Sequence, residues 1–78
     1  MAARNNIRSE RVRIGCTQAE LGKRLGVTVD TVRNWEDGTS QIRVSNLIDL
    51  ANIFSCSIDY LLGRTEDRIL HGYQVAAQ

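Results

Sequence analysis

The stretch TQAELGKRLGVTVDTVRNWEDG, residues Thr17 to Gly38, reads as two short helices joined by one tight turn. The Thr17 hydroxyl can cap the first helix, and Glu20 stands where a capping-box partner reaches back. Leu21 and Leu25 are one helical repeat apart and share a buried face. Gly26 suits the left-handed residue that ends a helix, and Val27 supplies the apolar contact that accompanies such an ending. Thr28 then caps a second helix, with Asp30 at its positive end. Val32 and Trp35 turn inward at three-residue spacing, and Asp37-Gly38 marks the exit. Gly22 is the anomaly. A glycine inside a helix costs about 1 kcal/mol relative to alanine, so close packing is expected there. A second helix crossing the first, with Val32 or its neighbours at the crossing point, is the expected cause.

Working outward, Asn5 or Asn6 can cap an earlier helix that runs to about Ile14, with Ile7, Arg11 and Ile14 along one face. A charge on an apolar stripe calls for a partner, and Glu36, beside inward-facing Trp35, is the candidate for Arg11. The alternative is that Arg11 snorkels to solvent. Gly15 ends this helix, and Cys16 tucks under the turn. After the polar loop Thr39-Ser40-Gln41, Val44, Leu47, Ile48, Ala51 and Phe54 trace a helix at three- and four-residue steps. Leu50 and Ile53 widen its stripe, which predicts the most buried helix of the set. Ser57 can cap a last short helix, Ile58 to Leu62, stopped by Gly63.

The fold class expected is therefore all-α: a compact five-helix bundle containing a helix-turn-helix. Residues 1–5 are expected to be a flexible N-terminus, 6–63 the folded domain, and 64–78 a tail or dimerisation arm. Within that last segment Thr65-Glu66-Asp67 can open another turn or two of helix, with Ile69, Leu70 and Tyr73 apolar and Gly72 weakening it.

A chain of 78 residues suits one small domain. No apolar run approaches the roughly 20 residues of a membrane helix, and no signal-peptide pattern opens the chain, so a cytoplasmic protein without a membrane partner is expected. Cys16 and Cys56 belong to no CxxC pair or Cys/His cluster; they read as small buried hydrophobes, not metal ligands or a redox pair. His71 is the only histidine, and no motif pairs it with a nucleophile. Neither a catalytic site, a cofactor nor a small-molecule ligand is expected. Charge is uneven. Residues 1–43 carry a net +3 and residues 44–78 a net −2, and nine of the ten bases are arginine. That asymmetry points an anionic partner to the N-terminal half.

Thr17-Gln18-Ala19-Glu20-Leu21, Gly26-Val27-Thr28, Thr31-Val32, Trp35-Glu36 and Gly38 together resemble the helix-turn-helix of the lambda-repressor, Cro and Xre family. Leu50-Ala51 and Ser57-Ile58-Asp59-Tyr60-Leu61-Leu62-Gly63 resemble that family's fourth and fifth helices, so the likeness spans roughly residues 6 to 63. It implies a double-stranded-DNA-binding regulator that lays Val29 to Glu36 in the major groove. By position, Gln18 and Thr28 would hold phosphates, with Thr31 near the helix start, while Val29, Asp30, Arg33 and Asn34 would face base edges. Arg33 can fork onto guanine, Asn34 can pair with adenine, and Val29 offers methyls to thymine. Asp30 either accepts from cytosine or serves the helix end.

Some positions depart from the family pattern. Ile42 stands where proline is common, Glu10 where leucine is common, and Ser55 where glycine is common. Arg43 replaces a capping serine, so Ser45 could cap instead, and Arg43 is itself placed for a phosphate. The family implies a homodimer on a two-fold site and a repressor's role. A reading from another class is a protein-interaction module, an antitoxin or anti-repressor on the same fold; near-neutral total charge and Asp30 on the reading face favour it. Steep loss of affinity with salt separates the two.

Overall fold

The computed structural model describes residues 5–69. Among them are five helices: α1 (Ile7–Arg13), α2 (Gln18–Leu25), α3 (Val29–Asp37), α4 (Val44–Phe54) and α5 (Ile58–Leu61). The expectations for residues 1–4, and for Leu70, His71, Gly72 and Tyr73, fall outside the described residues.

The caps explain most of the boundaries. Thr17 accepts from the Glu20 amide while the Glu20 carboxylate accepts from the Thr17 amide, a complete capping box on α2. The Thr17 backbone N–H, and after it the Thr17 side chain, hold the Glu20 carboxyl below its ordinary range. Thr28 and Ser57 accept from the amides three residues on and start α3 and α5. Gly26 and Gly38 close α2 and α3 in the left-handed region, each at φ +73°. α1 begins differently. Asn6 occupies the cap position without a side-chain cap, and the Asn5 side chain accepts from the Ile7 amide instead. α4 starts with no side-chain cap from Arg43, and Ser45 lies inside the helix rather than ahead of it.

Ile7, Leu21, Val32, Trp35, Leu50, Ala51, Phe54, Cys56 and Leu61 form the core. α4 contributes Leu50, Ala51 and Phe54 to it, but Val44 and Ile48 are exposed, so the helix is not buried all round. Its apolar residues exceed one stripe, and the bundle takes the set ending in Phe54. Gly22 needs a different cause from the expected one. A Cβ there would stand 2.8 Å from the Val27 carbonyl oxygen and 3.4 Å from Thr28 backbone atoms. The turn folds back so that the Val27 amide reaches the Gly22 carbonyl at 2.9 Å; turn backbone, not Val32, fills the space.

No helix forms over residues 64–69. Thr65 accepts from the Asp67 amide in a local turn, and Ser57 donates its amide to the Arg68 carbonyl at 2.6 Å. That segment is drawn back toward α5. No helix among the described residues is long and apolar enough to cross a membrane.

Candidate nucleic-acid interface

α3 is anchored from within. Val32 and Trp35 are buried, and the Trp35 carbonyl accepts from the Asn5 side-chain nitrogen Nδ2 at 2.8 Å. One turn of side chains away, Val29, Asp30, Arg33 and Asn34 are exposed, as is Thr28 at the cap. Thr31 is half-buried, its hydroxyl 2.9 Å from that of Thr28. The periodicity of the helix is what separates the two sets: with Val32 and Trp35 turned inward, positions 29, 30, 33 and 34 have nowhere to go but out.

Glu36 fixes this helix against the other two members of the corner. Its side chain is nearly buried and takes a two-nitrogen grip from Arg11, Nε at 2.5 Å and Nη2 at 3.2 Å. Arg11 also donates to the Cys16 carbonyl through Nη1. Gln18 donates Nε2 to Glu36 at 3.0 Å. α1, α2 and α3 therefore meet on one carboxylate. For Gln18 this has a cost: its amide nitrogen is engaged inward, and the backbone N–H groups at the α2 N-terminus are the donors left at that end.

Arg43 lies beside α3. With Val27, Thr31, Trp35, Gln41, Ser45 and Asn46 it lines an open cleft of about 410 Å³. Gln41 and Asn46, which the sequence pattern did not single out, and Ser45, read there only as a cap, carry donors beside Thr31; their neighbourhood to it depends on how the loop after Gly38 returns to α4.

The charged residues sort into committed and uncommitted ones. Arg11, Arg13, Arg33, Arg64 and Arg68 are in ion pairs. Among the described residues Arg8, Lys23, Arg24 and Arg43 are in none. The N-terminal excess of charge is thus carried on exposed side chains and remains available to an anion.

A second charged cluster was invisible in the sequence pattern. Glu10 is buried on the inner side of α1. It accepts from Arg68 Nη2 at 2.6 Å and Nε at 3.1 Å, from Arg13 Nε at 3.0 Å and from the Tyr60 hydroxyl at 3.4 Å. Arg13 and Arg68 both also donate to the Phe54 carbonyl, at the C-terminal end of α4, where cations are favoured. Burial raises the Glu10 carboxyl, but the hydrogen bonds from Arg68 and Arg13 outweigh it and leave it below the ordinary value. Cys56 lies in the same core; burial, with the Glu10 charge, pushes its thiol up to about 11. Cys16 and Cys56 are both free thiols.

A family model described as helix-turn-helix matches residues 7–61. The repressor protein C2 of Salmonella phage P22 is 38% identical over 56 residues, 72% of this chain and 26% of the relative. The HTH-type transcriptional regulator ImmR of Bacillus subtilis (strain 168) is 29% identical over 66 residues, covering 85% of this chain and 52% of its own length. The cryptic phage CTXphi transcriptional repressor RstR of Vibrio cholerae serotype O1 is 28% identical over 64 residues, 82% of this chain and 57% of the relative. The chain thus spans from about a quarter to just over half the length of these relatives.

Proposed function

The chain belongs to the helix-turn-helix family of lambda-repressor, Cro and Xre type, and we propose that it is a sequence-specific double-stranded-DNA-binding transcriptional regulator, acting as a repressor in the cytoplasm of a bacterium. The observation that carries this reading is the division of α3: Val32 and Trp35 hold it to the core while Val29, Asp30, Arg33 and Asn34 stand exposed beyond an exposed, Thr28-capped helix start. Such a helix fits the major groove. Arg33 and Asn34 read base edges there, and Val29 packs against a thymine methyl. Phosphates meet the N-termini of α2 and α3 at Gln18 and Thr28, the former through backbone N–H groups, and Arg43 beside the cleft. Lys23 and Arg24 add charge to the same half of the molecule.

One helix of this length reads few bases, so the working unit is a homodimer on a two-fold site with half-sites about 34 Å apart. The relatives' names supply the regulatory role, and the reading helix supplies the means.

Affinity for duplexes selected from a random pool, measured across a salt series, tests this. Binding weakens steeply as salt rises, and Arg33→Ala loses about 1–3 kcal/mol and relaxes preference at one base position. Absence of binding to any duplex at low salt would sink the reading.

A further inference from the structure

Asp30 is out of place on a surface that meets phosphates. Its carboxylate and the Arg33 guanidinium form an exposed pair, Oδ1 to Nη1 at 2.5 Å, with side chains 74% and 53% exposed respectively. Such a pair adds little to stability. Its geometry is more informative. Only Nη1 of Arg33 is engaged, and Nε and Nη2 have no partner among the described residues. The Nε–Nη2 edge presents two parallel N–H donors, the fork that matches guanine O6 and N7. Neither Thr28 nor Thr31 bonds the carboxylate: their hydroxyls bond each other, and Thr28 Oγ1 accepts from the Thr31 amide.

We infer that Asp30 is a specificity-determining positioning residue that acts through Arg33: it holds the guanidinium by one nitrogen, leaves the base-reading edge open, and discourages Arg33 from taking a phosphate instead. This rests on the DNA-binding reading above. A phosphate captured by Arg33 must either break the pair or accept a carboxylate close by, whereas a guanine engaged by the open edge leaves the pair intact. The acid therefore weakens binding to arbitrary duplex more than to the chosen one, which enlarges the difference between them. A long flexible side chain held in place also loses less freedom on docking.

The test uses the full chain, a duplex obtained by selection from a random pool, its single-base variants, and a random-sequence duplex, at one stated salt concentration. Asp30→Asn binds the random duplex more tightly and lowers the ratio of selected to random affinity about tenfold. The loss concentrates at the base position that Arg33→Ala relaxes, and adding Asp30→Asn to Arg33→Ala changes that ratio no further. Asp30→Glu, which can still reach Arg33 three residues on, restores most of it. An unchanged ratio in Asp30→Asn, with only a shifted melting midpoint, overturns the inference in favour of a helix-end role. A full loss that persists in the Arg33→Ala background overturns it in favour of direct reading by Asp30. Wild-type protein that binds no duplex at all overturns the parent reading instead, so the two failures are distinct.

Discussion

Glu10 and Arg11 are consecutive on α1, and each anchors a charged cluster, but the clusters hold different halves of the molecule. Arg11 reaches Glu36 and, through it, Gln18, and so ties α1 to the corner made by α2 and α3. Glu10 reaches Arg68, Arg13 and Tyr60, and ties α1 to the end of α4 and to the chain beyond α5. Their burial is opposite in kind. In the first cluster both partners are nearly shielded, with side chains 12% and 3% exposed. In the second a buried acid is served by arginines that still touch water, 50% exposed for Arg13 and 35% for Arg68. A charge stranded without its partner is costly only where water cannot replace that partner. The two clusters should therefore break unequally.

Arg11→Ala leaves Glu36 buried with Gln18 as its remaining donor, and should cost about 3 kcal/mol in urea denaturation. Because Glu36 sits on α3, the same variant should also weaken duplex binding beyond what its stability loss explains. Equal loss from Glu10→Gln would erase the contrast.

Glu10→Gln should cost less, about 1–2 kcal/mol at neutral pH, since Arg13 and Arg68 regain water. Its signature is in the pH dependence. The Glu10 carboxyl titrates in the folded state below its ordinary value of 4.5, so its contribution is fully present above that value and is lost as pH falls through the lowered one. Wild-type stability should drop on acidification below about pH 4.5, and the slope should be shallower in Glu10→Gln. Glu20, lowered by its capping box, carries the same sign, so some slope persists.

The smallest effect is of opposite sign. Ser55, next to the Phe54 carbonyl that both arginines grip, has φ +54°. A side chain in that conformation costs about 1 kcal/mol, so Ser55→Gly should raise the melting midpoint without altering the acid slope. A lowered midpoint would mean that the Ser55 side chain contributes more than its strain removes.

The corner made by α2 and α3 was more legible than the Glu10 cluster, because its signals are local in sequence. Thr17, Glu20, Gly26, Thr28 and Gly38 act on neighbours within a few residues, so caps and turns declare themselves locally. Glu36 as a partner for Arg11 was readable because only that acid flanks Trp35. Glu10 announced a departure from pattern, and Arg13 stands three residues on, but Arg68 lies 58 residues away in a segment with no periodicity to place it. Gly22 disclosed its cost and not its cause, because a turn carbonyl leaves no mark on residue type. α4 offered more apolar residues than one face could use, which left its orientation open until its neighbours were known. Gln18, expected to point toward phosphate, is engaged by an acid that the motif places on another helix.

The Asn6 amide and side chain, bonded to the Leu61 and Tyr60 carbonyls at 2.9 and 2.6 Å, join the start of the helical set to its end. In polymer terms these bonds close a ring across 54 residues. Closing a loop of that length costs about 1.5 kcal/mol more than closing one of about ten residues. The corner made by α2 and α3 occupies the middle of the ring, and its own turn closes over only a few residues. A long-range closure is thus carried by the Asn6 bonds, while the face proposed to meet DNA is drawn from one contiguous run of sequence.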